Sequence, residues 1–281
     1  MMLWLPIAFV TLMALAVMTV FLLTFCNVAF AEASCGVRRF STGLDVPSES
    51  NDRMHAWAAN LARRVVARHA QQPRSAETPL AIASELEASA NAVLERAAQQ
   101  ASSSVKSFCT IATTCPNPRP RQIAVTAPEV FAITTELERT YSNCDLQIVR
   151  ELAVLNGRRA RFVLPEEFPQ AGITCPLRAP DGHCMTFTNR PIACRQLSDS
   201  CPCGDSGGCQ GGSCKSSCSP TDVAEQLHDG ISNGLSEGLR LAGLDDGVYE
   251  LNDALATALT TPHAAARWSQ GEAVFANCAK A

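Results

Sequence analysis

The sequence predicts a mainly α-helical protein: an N-terminal transmembrane helix, followed by helices packed around an irregular, cysteine-rich metal-binding core. Three observations predict it. Residues 1–31 carry no charged side chain. Apolar residues recur at helical spacing, with capping signals, through most of the remaining chain. Eleven of the 14 cysteines fall between Cys109 and Cys218. The expected organisation is an anchor over residues 1–31, a linker and helical hairpin over 32–106, a cysteine-cluster domain over 107–218 and a C-terminal helical region over 219–281.

The run from Leu3 to Phe25 exceeds the roughly 20 apolar residues a helix needs to cross a bilayer. A secretory signal would carry Lys or Arg before a shorter apolar core, and none precedes this one. The triplet Ala29-Phe30-Ala31 imitates a cleavage site, so export stands as the alternative. The first basic residues, Arg38 and Arg39, lie on the C-terminal side. The positive-inside rule then places the bulk of the chain in the cytoplasm, behind a single pass of the inner membrane. The membrane is the one partner this reading names. A net charge of −4 without a basic run argues against nucleic acid. Cytoplasmic thiols stay reduced, so clustered cysteines there read as metal-binding or catalytic. Cleavage after Ala31 would remove Cys26 and leave thirteen cysteines, an odd number that cannot pair completely within one chain.

Each later element has its own signal. Residues 41–53 are polar and turn-rich, as in a linker. A helix is expected from Asp52 to Ala70, with Met54, Trp57, Leu61 and Val65 on one face. Thr78 as N-cap and Pro79 open a second, striped by Ile82, Leu86, Ala90, Val93 and Ala97, and the two read as a hairpin. Thr126-Ala127-Pro128-Glu129 is a capping box for a helix carrying Val130, Ile133, Leu137 and Tyr141. Leu146 to Leu155 forms another, stopped by Asn156-Gly157, and Phe162-Val163-Leu164 reads as a short strand. A helix from Thr221 carries Gly230, Gly234, Gly238 and Ala242 at four-residue intervals, a strip that lets another backbone approach closely. After a turn at Leu244–Gly247, Leu251, Leu255 and Ala258 stripe a further helix, and Thr261-Pro262 opens the last, ending near Gly271.

The chemistry concentrates at Cys175 to Cys194. Pro176, Asp181-Gly182 and Pro191 fold the chain back between three thiols. Thiolates bind zinc and iron–sulfur clusters, and four sulfurs complete either site. No Cys-x-x-Cys knuckle occurs in the chain, so spacing by itself is a moderate signal. No phosphate-binding glycine loop, nucleophile elbow or His-Glu-x-x-His helix is present either.

Cys175-Pro176-Leu177, Asp181-Gly182-His183-Cys184 and Arg190-Pro191-Ile192-Ala193-Cys194-Arg195 resemble the signature of the YkgJ-type cysteine-cluster family, described as zinc- or iron-chelating. The family also has an earlier cysteine cluster followed by a helix with a Thr-x-x-Glu-like start. Cys109, Cys115 and then Thr126–Glu129 stand where that would fall, although Thr113 and Thr114 occupy part of the expected cluster. The resemblance implies a zinc, iron or iron–sulfur site held by Cys109, Cys115, Cys175, Cys184, Cys194, Cys201 and Cys203. Cys209, Cys214 and Cys218 form either a second site or a mobile glycine-rich loop. Cys144 reads as a core thiol on a helix end, His183 as a turn residue, and Cys26 and Cys278 are given no role. Arg190 and Arg195 either offset thiolate charge or pack the turn through its carbonyls. The biochemical role stays undefined. The alternatives are a redox or protein-modifying enzyme using the cluster, and an exported, disulfide-stapled interaction protein.

Overall fold

The computed structural model describes residues 51–100, 122–199 and 222–281. The anchor expected over 1–31 lies outside them. Among the described residues no helix is long and apolar enough to cross a membrane. They are mainly helical, as expected, and belong to one compact unit, Val46–Ala281.

Helix α1 (Asn51–Ala70) and helix α6 (Asp222–Leu241) make the most extensive contact between elements. The glycine strip of α6 is the reason. A Cβ at Gly230 would stand 2.7 Å from Ala58 Cβ, one at Gly234 2.6 Å from Ala59 Cα, and one at Gly238 3.0 Å from Val66 Cβ. The backbones therefore approach to a distance that side chains at these positions would forbid. Arg63 closes the edge on Glu237 at 2.5 Å. Helix α2 (Thr78–Gln100) touches α1 but packs more on α3 (Ala127–Thr140), so the expected hairpin is the lesser pairing. Thr78 is the first helical residue rather than the cap, and its hydroxyl accepts from the Ser75 N–H at 3.0 Å.

A two-stranded antiparallel ribbon, β1 (Ala124–Thr126) with β2 (Val248–Glu250), pairs Val125 with Tyr249. At three residues each, these strands are too short to show the alternation that marks a strand in sequence. The chain end lies beside β2: the Glu250 N–H donates to Ala279 O at 2.9 Å and the Ala281 N–H to Val248 O at 3.2 Å.

Helix α4 (Asn143–Ala160) corrects three expectations. Ser142 caps it, accepting from the Asp145 N–H, so the helix starts earlier than Leu146. Asn156-Gly157 does not stop it. Asn156 is buried and donates to Thr174 O at 2.9 Å, and Gly157 is there for contact: its Cβ would lie 2.8 Å from Asp253 Cα on helix α7 (Leu251–Thr260). Cys144 is exposed in the first turn, not a core thiol. Nor is Phe162–Leu164 a strand. It is a turn with Phe162 87% exposed, leading into a 3₁₀ helix at Pro165–Gln170. Below it, Arg161 grips the buried Asp253 with two bonds of 2.8 Å.

Among the described residues a main hydrophobic core is accompanied by a small second cluster of Ala160, Phe168 and Ile173. The main core takes Val65 and Leu86, Phe131 and Leu137, and Ile231, Tyr249, Leu255, Trp268 and Phe275, so side chains from α1, α2, α3, α6, α7 and the C-terminal segment meet in it. Trp268 lies on helix α8 (Ala264–Ser269), which ends before Gly271 (φ 91°). At the centre, the Phe131 ring lies 5.9 Å from that of Trp268 and 5.5 Å from that of Phe275, which also meets Tyr249 at 5.3 Å.

Candidate cysteine site

The stretch from Cys175 to Cys194 begins as a small hairpin. The Met185 N–H donates to Leu177 O at 2.8 Å and the Ala179 N–H to His183 O at 2.9 Å, which sets Cys184 opposite Arg178. Gly182 turns the chain at φ 87°, a conformation that favours glycine. Asp181 accepts from the His183 N–H at 3.0 Å, and that bond holds its exposed carboxyl below the ordinary range. His183 is exposed beside it, the turn residue expected. Leu177 is buried and pins the hairpin to the core.

Helix α3 is the spine against which the rest of the stretch lies. Tyr141, just past its end, donates to Met185 O at 2.9 Å. Glu136 accepts from Thr188 Oγ1 at 2.6 Å and Asn189 Nδ2 at 2.8 Å. Glu129 accepts from the Ile192 N–H at 2.8 Å. The chain thus runs antiparallel to α3, tied at 141, 136 and 129 in turn. After Pro191 it enters helix α5 (Ile192–Asp199), which carries Cys194 and Arg195.

Arg195 closes the other side. Its guanidinium donates to Arg190 O at 3.1 Å, Thr188 O at 2.6 Å, Asn91 Oδ1 at 3.3 Å and Glu87 Oε1 at 2.6 Å. The bonds to the Arg190 and Thr188 carbonyls are the turn-packing contacts expected as one of the two roles of this arginine. The Arg190 guanidinium lies over the Phe187 ring, 4.1 Å from its centroid. Behind these side chains is a cavity of about 40 Å³ between α2, α3 and α6, bordered by Leu86, Glu129, Arg195, His228 and Ile231. His228 is fully buried, and burial, with the Arg195 charge, pushes its pKa down to about 4.

Cys175 and Cys194 are partly buried against the core. Cys184, also partly buried, is near enough to Tyr141 to help raise its hydroxyl pKa, after burial and Glu136. Cys109, Cys115, Cys201 and Cys203 lie outside the described residues, as do Cys209, Cys214 and Cys218. Among the described residues, no group of three or more His, Cys, Asp or Glu side chains is arranged to hold a metal ion. Cys278 is apart from this region. It is buried beside Thr257 Oγ1 at 3.1 Å, and burial raises its thiol to about 11.

Glu87, Glu136 and the second bond of Glu129 were not legible as parts of the site. A trace exists in the seven-residue spacing of Glu129 and Glu136, which puts two acids on one edge of α3. No protein-family model, curated protein or solved structure matches this chain.

Proposed function

We propose that the chain is a membrane-anchored protein whose cysteine cluster holds zinc or iron, the latter as an ion or an iron–sulfur cluster. The supporting observation is the bracing of the Cys175–Cys194 stretch. Tyr141, Glu136, Glu129 and Arg195 tie it to α2 and α3, while its three thiols stay partly accessible, unlike the buried Cys278. Such outer bonds orient sulfur ligands in metal sites and are costly to lose. Thiolates suit either metal, and in this reading the site is completed by Cys109, Cys115, Cys201 and Cys203. Residues 1–31 hold the protein on the inner membrane, with the bulk in the cytoplasm.

The test is metal analysis of the full chain, purified anaerobically in detergent. The expected result is about one equivalent or more of zinc or iron, with less than about half an equivalent of any metal overturning the reading. Visible absorbance that bleaches on reduction identifies an iron–sulfur centre. Intact-mass measurement tests the anchor: cleavage after Ala31 overturns it.

A further inference from the structure

We propose that Glu129 is a positioning residue for the Cys194 thiol, an inference that rests on reading the Cys175–Cys194 stretch as the sulfur site. Its carboxylate is divided between two helix starts. Oε2 accepts from the Thr126 N–H at 2.8 Å and the Thr126 hydroxyl at 2.7 Å, closing the first turn of α3. Oε1 accepts from the Ile192 N–H at 2.8 Å, the first residue of α5 and two before Cys194. One rigid planar group therefore sets α5 against α3. At eight residues, α5 is too short to hold its own conformation in water, so its direction comes from such bonds. Arg195 supplies the opposite brace, through Glu87 and Asn91 of α2. Cys194 lies between Ile192 and Arg195 in the chain, so both attachments bear on the turn that carries it.

A carboxylate has acceptors for both helix starts, whereas the amide of glutamine has a single acceptor oxygen. Glu129→Gln keeps the shape and gives up one of the two attachments. The first turn of α3 is closed by a local contact, three residues apart, so the attachment to Ile192, 63 residues away, is the one given up.

The experiment compares the full chain with its Glu129→Gln variant, both chelated to remove metal. Iodoacetamide labelling is followed by peptide mass spectrometry. Cys144, exposed on α4, is the reference for reagent, and the buried Cys278 reports global opening. The expected result is a rise of about fivefold or more in Cys194 labelling relative to Cys144, as loss of one charge-assisted bond predicts. Labelling of Cys278 and Tm stay within the range of a folded chain. An unchanged Cys194 ratio in the folded variant overturns the proposal. If the variant does not fold, hydrogen exchange on the unaltered chain decides. The Ile192 amide is expected to exchange at least about 100-fold slower than an unstructured amide, and exchange at the unstructured rate overturns the proposal. Because labelling is read without metal, the outcome is independent of metal analysis. A raised Cys194 ratio in a chain that binds no metal leaves the positioning role standing and removes the metal reading alone.

Discussion

His228 illustrates what a single buried side chain does to the whole. Burial and the neighbouring Arg195 guanidinium push its pKa from 6.5 to about 4, so the folded chain holds a neutral imidazole where the unfolded chain binds a proton. Between those two values the unfolded state carries more protons, so stability rises with pH and is lost as pH falls from 6.5 towards 4. The full loss is about 3 kcal/mol. Glu250, fully buried and with its pKa raised by burial, titrates in the opposite sense, so the comparison with a His228→Gln variant carries the prediction. In urea unfolding of the chelated protein, the unaltered chain should lose about 3 kcal/mol more than the variant between pH 7.5 and pH 4. Parallel profiles would show that His228 is not the proton sink. At this scale the local chemistry was legible: the Thr126–Glu129 start and the Asp181-Gly182 turn are made by residues within three positions of one another. The Ile192 bond of Glu129 and the Glu87 bond of Arg195 were not, because their partners lie 63 and 108 residues away.

Helix α6 shows the same division for a whole element. Its glycine period announced a close approach, and the structure supplies α1 as the partner. Two opposed effects make the strip testable. Gly→Ala in a helix interior is favourable by about 1 kcal/mol when nothing is in the way. At Gly234 the added methyl would sit 2.6 Å from Ala59 Cα, and overpacking of this kind costs about 1–3 kcal/mol or more. Since the obstruction is backbone, which cannot rotate aside, we expect Gly234→Ala to lower unfolding stability by about 2 kcal/mol in urea titration. A gain in stability would mean that α1 and α6 do not lie in contact there. Gly157 shows why residue type is insufficient. Asn156-Gly157 has the composition of a helix stop, yet α4 continues to Ala160 because α7 crosses at that point and the glycine admits it.

Among the described residues, the main core joins α1 near their start to Phe275 near their end. Phe275 is fully buried between Phe131 and Tyr249, with Cys278 and Ala279 following it into place beside Asp253 and β2. Phe275→Ala should cost about 3–5 kcal/mol. Because Phe275 and Trp268 share the main core with the helix stripes, helix content by circular dichroism and tryptophan fluorescence should fall in a single, coincident transition. Separate transitions for the two probes, or a loss below about 1 kcal/mol, would show that the C-terminal segment is not integral to the core.

The sequence by itself determined the helical class, the main helix positions, the turn chemistry around Cys175–Cys194 and the presence of a close-packing strip. These depend on interactions a few residues long, which composition and period record directly. Tertiary structure alone decided that α1 joins α6, that two three-residue strands pair, that Cys144 faces water while Cys278 is buried, and that α2 and α3 brace the cysteine turn. Each of those depends on groups brought together from distant parts of the chain, where the sign of a contact is set by the neighbour that arrives and not by the residue that waits for it.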